Sequence, residues 1–151
     1  MYQLVIIGGG PAGVSAGIYA ARKKIKTLLI AEEFGGQSAV SDGIENWIGV
    51  EEISGFDLAQ QLEKHLKKYE KEIEIMEGER VAEVNKLEEG RYQIKTVSGK
   101  EFETEKVLVT SGSHHRRLDV PGGKEFDGKG VAYCATCDAP IFQGKKVAVI
   151  G

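Results

Sequence analysis

The feature that most constrains the fold is a glycine-rich turn between an apolar strand and a helix. Residues 2–7 are rich in Leu, Val and Ile, which predicts a buried strand, and a helix is predicted over residues 11–24. Between them lies the pattern Gly8-x-Gly10-x-x-Gly13. Such glycines permit a tight turn and a close approach of a ligand to the backbone, and a helix N-terminus favours negative charge. In this context the turn predicts a site for the pyrophosphate of a dinucleotide.

An acidic residue follows the second predicted strand, which spans residues 27–31. Glu32 lies about 20 residues beyond the turn, where a carboxylate accepts hydrogen bonds from ribose hydroxyls. A turn that served packing alone would not explain Glu32. The order of strand, glycine turn, helix and strand predicts the fold class, a doubly wound, Rossmann-like α/β domain with a parallel sheet.

The next part of the chain is predicted to hold a loop and a second helix. Residues 34–53 are rich in Gly, Ser, Asp and Asn, and we expect an ordered loop anchored by Ile44, Trp47 and Ile48. A capping-box pattern at Ser54 and Asp57 begins a helix that extends to about residue 69. A strand is predicted over residues 73–76. The inward stripe of the helix is predicted to comprise Phe56, Ala59, Leu62, Leu66 and Tyr69.

Residues 80–104 change to a period of two, which predicts strands rather than helices. Turn signals occur at Glu89-Gly90 and at Ser98-Gly99. The segment is therefore predicted to be a three-stranded antiparallel meander, inserted before a last parallel strand over residues 106–110.

A connection rich in His, Arg, Gly and Pro, residues 113–123, predicts a domain boundary. We predict that residues 1–115 form the N-terminal segment of a dinucleotide-binding domain. Residues 116–151 would then hold the interdomain connection and the start of a second nucleotide-binding domain. Residues 145–151 again form an apolar strand pattern that arrives at a glycine, as residues 4–8 do. We therefore expect the sequence to be a piece of a longer protein.

A pair of cysteines lies in the second predicted domain, in the run Cys134-Ala135-Thr136-Cys137, and Asp138 follows it. Structural zinc normally takes four ligands, and no second CxxC pair is present. His114 and His115 fit a solvated turn better than a metal site. A redox dithiol needs only two thiols close enough to bridge and an acid that moves protons, so this spacing predicts a redox pair.

Composition excludes some other functions. The formal charge of −3 argues against a protein that mainly binds nucleic acid. No apolar run approaches the roughly 20 residues of a membrane span, and the apolar start lacks a basic leader. We therefore expect a cytoplasmic protein without a membrane partner, in which a CxxC pair is kept reduced or is cycled.

Several segments in order along the chain resemble one family. The sequence is similar to the low-molecular-weight thioredoxin reductases and the related flavoprotein subunit of alkyl hydroperoxide reductase. The small departures are Ser111, where the family usually has Thr, and Ala139, where it usually has Gly. The matching segments are residues 8–13 (GGGPAG), 35–37 (GGQ), 45–49 (ENWIG), 110–112 (TSG), 134–138 (CATCD) and 144–151 (GKKVAVIG).

The resemblance implies an FAD site in the first domain. It places the pyrophosphate at the glycine turn, the adenosine ribose at Glu32, the flavin beside Gln37 and Asn46, and the adenine near the backbone of Val81. The cofactor-binding residues implied by the resemblance are Gly8, Gly10, Pro11, Ala12, Gly13, Glu32, Gly36, Gln37, Asn46, Val81, Ser111 and Gly112.

The resemblance also implies an electron path. Cys137 would face the flavin, Cys134 would attack a disulfide of the partner, and Asp138 would act as acid and base. NAD(P)H would bind the domain that begins near Leu118. The partner would be a thioredoxin-like protein or a protein of the peroxiredoxin system, and the full-length protein would be a homodimer.

Two alternatives stay open alongside this enzyme interpretation. The chain could be a non-catalytic FAD- or nucleotide-binding module, or one half of a two-chain enzyme. The sequence does not distinguish NADPH from NADH. We expect the 151-residue chain alone to show no steady NAD(P)H-dependent turnover.

Overall fold

The computed structural model describes residues 1–114, 116–134 and 138–150. It divides the chain into two compact units, Met1–Ser113 and His114–Gly151. Whether the second unit begins a nucleotide-binding domain stays a prediction.

The first unit is a six-stranded mixed sheet with helices, which confirms the predicted Rossmann-like α/β class. The strands have the order β3-β2-β1-β6-β5-β4; β3, β2, β1 and β6 are parallel, and β6, β5 and β4 form the antiparallel meander. The main elements are β1 (Tyr2–Gly9), α1 (Pro11–Arg22), β2 (Thr27–Phe34), α2 (Gly55–Lys67), β3 (Glu74–Glu77), β4 (Val81–Lys86), β5 (Tyr92–Thr96) and β6 (Glu101–Val109). Short 3₁₀ helices occupy Gly36–Val40 and Glu88–Gly90.

The prediction of two separate strands at the end of the first unit is wrong, because the third strand of the meander and the last parallel strand form the single strand β6. Its first half pairs antiparallel with β5, as far as Thr104 opposite Tyr92. Its second half pairs parallel with β1, as far as Val109 opposite Ile7. The strand continues through Thr104, which is fully buried and whose hydroxyl donates to the carbonyl of Lys106 at 2.9 Å.

The core lies on both faces of the sheet. Neighbouring residues of β1 point to opposite faces, so Val5 and Ile6 belong to different clusters. The helices cover the face that contains Ile6, and the meander covers the face that contains Val5, where Ile94 of β5 is fully buried. Because both faces are covered, β1 and β2 are almost continuously apolar. The helical face comprises Ile6, Val14, Ile18, Ala21, Leu29, Ala31, Phe34, Leu66 and Ile73.

Helix α2 begins as predicted, because Ser54 Oγ accepts a hydrogen bond from the backbone N–H of Asp57 at 3.0 Å. The predicted stripe is wrong at one position, since Phe56 is 63% exposed and Leu58 is buried instead. Leu58, Leu62 and Leu66 repeat every four residues and so share one face, from which Phe56 is rotated away.

The loop after β2 is closed at its base rather than anchored at its tip. Ile44 and Ile53 form an antiparallel bridge, with N–H···O distances of 2.8 and 3.1 Å. Ile48 is fully exposed and Trp47 is 37% exposed, so the prediction that they anchor the loop is wrong. The tip extends beyond the bridge, and its apolar side chains face solvent in the described unit.

The second unit is held mainly by turns. The backbone N–H of Leu118 donates to the hydroxyl of Tyr133 at 2.9 Å, Asp127 bridges to Val131, and a 3₁₀ helix spans Ala139–Phe142. Residues 145–150 are not a strand, contrary to the sequence prediction. A strand needs a neighbour for its backbone groups, and the described residues of this unit contain none. Across the described residues, no helix is long and apolar enough to cross a membrane.

The corrected stripe of α2 can be tested with two truncations. We expect Leu66→Ala to lower the free energy of unfolding by about 2–5 kcal/mol, because it empties a fully buried position. Phe56→Ala should change it by less than about 0.5 kcal/mol, since this side chain is exposed. Urea unfolding measures both free energies. A larger loss of stability for Phe56→Ala than for Leu66→Ala would show that Phe56 faces the core, as the sequence pattern predicted.

Candidate dinucleotide site and CxxC segment

The glycine turn is the point where β1, α1 and β6 meet. Gly8 has a φ of +117°, and a Cβ there would lie 2.3 Å from the carbonyl oxygen of Thr110. A Cβ at Gly13 would lie 1.9 Å from the carbonyl oxygen of Gly8. Real Cβ atoms do not approach other atoms so closely, so packing within the chain requires glycine at both positions.

Thr110 is a residue of this site that the sequence analysis did not assign. Its backbone N–H and its hydroxyl donate to the carbonyl of Ile7 at 2.8 and 2.9 Å, and the hydroxyl lies 3.3 Å from the carbonyl oxygen of Gly8. It therefore ties the end of β6 to the turn. The signal was present, since Thr110 opens the Thr-Ser-Gly segment, but only its exposed neighbours Ser111 and Gly112 were assigned.

Gly10 differs from the two packed glycines. Its φ of −71° suits any residue, and a Cβ there would meet no atom closer than the Cα of Gly36 at 4.0 Å. Packing therefore explains Gly8 and Gly13 but not Gly10, where the backbone borders open space.

The start of α1, where Gly10 is the N-cap residue, suits an anion. Among the described residues, no side chain caps this helix, and its first turn contains no acidic residue. Pro11 at the first helical position has no N–H, whereas Ala12 and Gly13 each have one. Uncapped N–H groups at a helix N-terminus bind phosphate groups, so these residues fit a pyrophosphate.

Residues after β2 approach the same turn. The pairing of β1 with β2 shifts between Ile7 and Gly9, and Gly9 lies opposite Phe34, so Glu32 lies in the irregular end of β2 and is exposed. The N–H of Gly35 donates to the carbonyl of Gly9 at 3.0 Å. Gly36 also lies near the turn, because a Cβ built on it would lie 3.3 Å from the Cα of Gly10.

The other predicted cofactor residues are more scattered. Gln37 is exposed next to Gly36, Asn46 is exposed in the loop tip, and Val81 is half-buried at the start of β4. Their contact with a cofactor stays a prediction.

In the second unit, two hydrogen bonds join Cys134 to Asp138. The N–H of Cys134 donates to Asp138 Oδ2 at 3.1 Å, and the N–H of Asp138 donates to the carbonyl of Cys134 at 2.9 Å. Cys137 and His115 lie outside the described residues. Those that are described contain no group of three or more His, Cys, Asp or Glu side chains suited to a metal ion.

The fold and the glycine turn define a Rossmann-like α/β protein. The family described as pyridine nucleotide-disulphide oxidoreductase matches residues 2–151. The chain belongs to this family of oxidoreductases.

Individual relatives agree with this assignment. The chain is 44% identical over 151 residues to a subunit of the alkyl hydroperoxide reductase of Pseudomonas putida and 43% identical over 150 residues to a protein of Bacillus subtilis named NADH dehydrogenase. Each match covers 99% of this chain but 29% of the relative. The structure of Lactococcus lactis thioredoxin reductase matches with a TM-score of 0.76 and 36% identity, over 94% of this chain and 46% of that one.

The different roles of the glycines can be tested without any ligand. We expect Gly13→Ala to lower the free energy of unfolding by about 3 kcal/mol or more, because its Cβ would collide with the carbonyl of Gly8. Gly10→Ala should cost less than about 1 kcal/mol, since open space surrounds that position. Urea unfolding of the two variants provides the comparison, and equal losses of stability would contradict the open space at Gly10.

Proposed function

We propose that this chain supplies the FAD site and the redox dithiol of an NAD(P)H-dependent flavoprotein disulfide reductase. The observation that carries the proposal is the open space at Gly10, at the uncapped start of α1 and close to the end of β2 that bears Glu32. When bound, FAD accepts a hydride and passes on its electrons as a pair.

The first unit binds and orients the cofactor in this proposal. Backbone N–H groups at the start of α1 bind the pyrophosphate, and Glu32 accepts hydrogen bonds from the adenosine ribose. Gln37 and Asn46 contact the flavin ring, and the backbone at Val81 lies by the adenine. The exposure of Glu32, Gln37 and Asn46 supports this assignment, because each is accessible to a ligand.

The cysteine pair transfers the electrons to a protein disulfide. A thiolate of Cys134 attacks the partner's disulfide to form a mixed disulfide, and Cys137 then displaces the reduced partner. The pair is left as a disulfide and is reduced again by two electrons that originate from the nicotinamide. Asp138 serves as the proton donor and acceptor, and the hydrogen bond from the backbone N–H of Cys134 supports this role because it holds the carboxylate beside Cys134.

The whole reaction belongs to the full-length protein. The chain spans 29% of the relatives it matches, and the nicotinamide site is proposed to lie in the domain that residues 116–151 begin. We infer a thioredoxin-like or peroxiredoxin-system partner, a homodimeric full-length protein and a cytoplasmic location. A two-chain enzyme would instead recover its activity when the chain is mixed with a separate polypeptide that supplies the remainder.

FAD binding tests the first part of this proposal. We expect the 151-residue chain to bind FAD, and Gly10→Ala to weaken that binding at least about tenfold, because the methyl group fills the space for the pyrophosphate. Ser15→Ala, on the exposed side of the same helix, is the matched control and should bind as the unsubstituted chain does. Flavin fluorescence provides the measurement, and unchanged binding by Gly10→Ala would refute the assignment of the turn.

Flavin bleaching separates the enzyme from a non-catalytic binding module. With FAD bound and oxygen removed, dithiothreitol should reduce the cysteine pair, which then passes two electrons to the flavin and removes its visible absorbance. Cys134→Ser and Cys137→Ser should abolish this rapid bleaching while FAD stays bound. A spectrum that responds equally in all three proteins, or in none of them, would favour the binding module.

A further inference from the structure

The strongest unassigned feature is a buried carboxylate. Among the described residues, the buried polar side chains are those of Thr27, Glu79, Thr96 and Thr104, and Glu79 alone is acidic. Glu79 lies between β3 and β4 and is 8% exposed. A buried carboxylate is costly unless hydrogen bonds satisfy it, so its partners indicate what it holds in place.

The side chain of Glu79 binds the turn between β5 and β6. The hydroxyl of Ser98 donates to Glu79 Oε2, and the backbone N–H of Ser98 donates to Oε1 at 3.4 Å. The N–H of Arg80 also donates to Oε1, at 3.2 Å, and Lys100 Nζ lies 3.5 Å from Oε2. The hydrogen bond from Ser98 lowers the pKa of Glu79 and outweighs the rise that burial alone would cause.

The backbone of Glu79 binds a different element. Its N–H donates to the carbonyl of Ala31 at 3.2 Å. Ala31 immediately precedes Glu32, and Glu79 lies two residues before Val81. One residue therefore joins the end of β2, the start of β4 and the β5–β6 turn.

The sheet order indicates what this junction serves. Ligands of such sheets lie beyond the carboxyl ends of the strands. With the pyrophosphate at the end of β1 and the ribose at the end of β2, the next group of the ligand reaches the end of β3, because β3 is the next strand. In the proposed function that group is the adenine base, and residues 78–80, which follow β3, lead directly into Val81.

We propose that Glu79 is a positioning residue for the adenosine half of the dinucleotide, setting the spacing between Glu32 and the backbone at Val81. This inference rests on the proposed function. The backbone of the segment is held by the hydrogen bond from the N–H of Val97 to the carbonyl of Arg80 at 2.8 Å, and the side chain of Glu79 adds its contacts with Ser98 to that bond. Glu79 acts through the segment that it fixes and does not touch the ligand.

The test compares Glu79→Ala with Glu77→Ala in the 151-residue chain. Glu77 ends β3, and its exposed carboxylate pairs with Lys67 at 3.0 Å, so its loss removes a nearby charge but none of the contacts with Ser98. Affinities are measured for FAD and for inorganic pyrophosphate, which has no adenosine.

We expect the dissociation constant for FAD to rise about tenfold in Glu79→Ala and to stay near the unsubstituted value in Glu77→Ala. Pyrophosphate affinity should be unchanged in both, which a general loss of structure would not produce. Glu79→Gln should restore most of the FAD affinity, because its amide oxygen still accepts the hydrogen bond from Ser98.

Each other outcome has a defined meaning. Equal FAD affinities for the two alanine variants, or a parallel loss of pyrophosphate affinity in Glu79→Ala, would overturn the inference while the proposed function stands. A chain that binds no FAD before substitution would refute the proposed function, and this inference with it. If Glu79→Ala does not fold, Ser98→Ala decides: weaker FAD binding supports the inference, and unchanged binding overturns it.

Discussion

The contact between the glycine turn and the end of β6 is the constraint on which the rest of the first unit depends. The start of α1 lies against the carbonyl of Gly8, and Thr110 donates hydrogen bonds to the last residues of β1. These contacts fix where the helix begins and where its free N–H groups point. They also bring together residues about one hundred positions apart in sequence, so the geometry of the glycine turn depends on the pairing of β1 with β6.

Local signals predicted much of the fold, and pairing between distant segments explains what they missed. The glycine turn, the Ser54 cap and the turns near Gly90 and Gly99 follow from nearby residues and were found from the sequence. The continuity of β6 depends on its neighbours β1 and β5, which a period of two cannot reveal. The exposure of Ile48 and the absence of a strand over residues 145–150 likewise depend on what packs against each segment.

At the candidate site, sequence patterns identified the residues predicted to contact a ligand more readily than the residues that hold them in place. Gly10 and Glu32 carry recognisable signals, because ligand contact restricts the residue type and the spacing along the chain. Thr110 donates hydrogen bonds to carbonyls of β1, and the carboxylate of Glu79 accepts hydrogen bonds from Ser98 in the β5–β6 turn. No spacing rule identifies such partners. Where a supporting residue binds elements distant in sequence, its role becomes visible only when those elements are placed in space.

The long-range pairing of β1 with β6 has a consequence for biosynthesis. Tyr2 pairs with Thr104 and Ile7 with Val109, so β1 leaves the ribosome about one hundred residues before its partner. At ordinary translation rates this interval lasts roughly 5–20 s. During it, one edge of the first strand has unpaired backbone groups, and the face that Ile94 later covers is open to solvent. Until the meander emerges, the nascent chain therefore exposes apolar side chains and unpaired backbone groups, to which chaperones or neighbouring chains can bind.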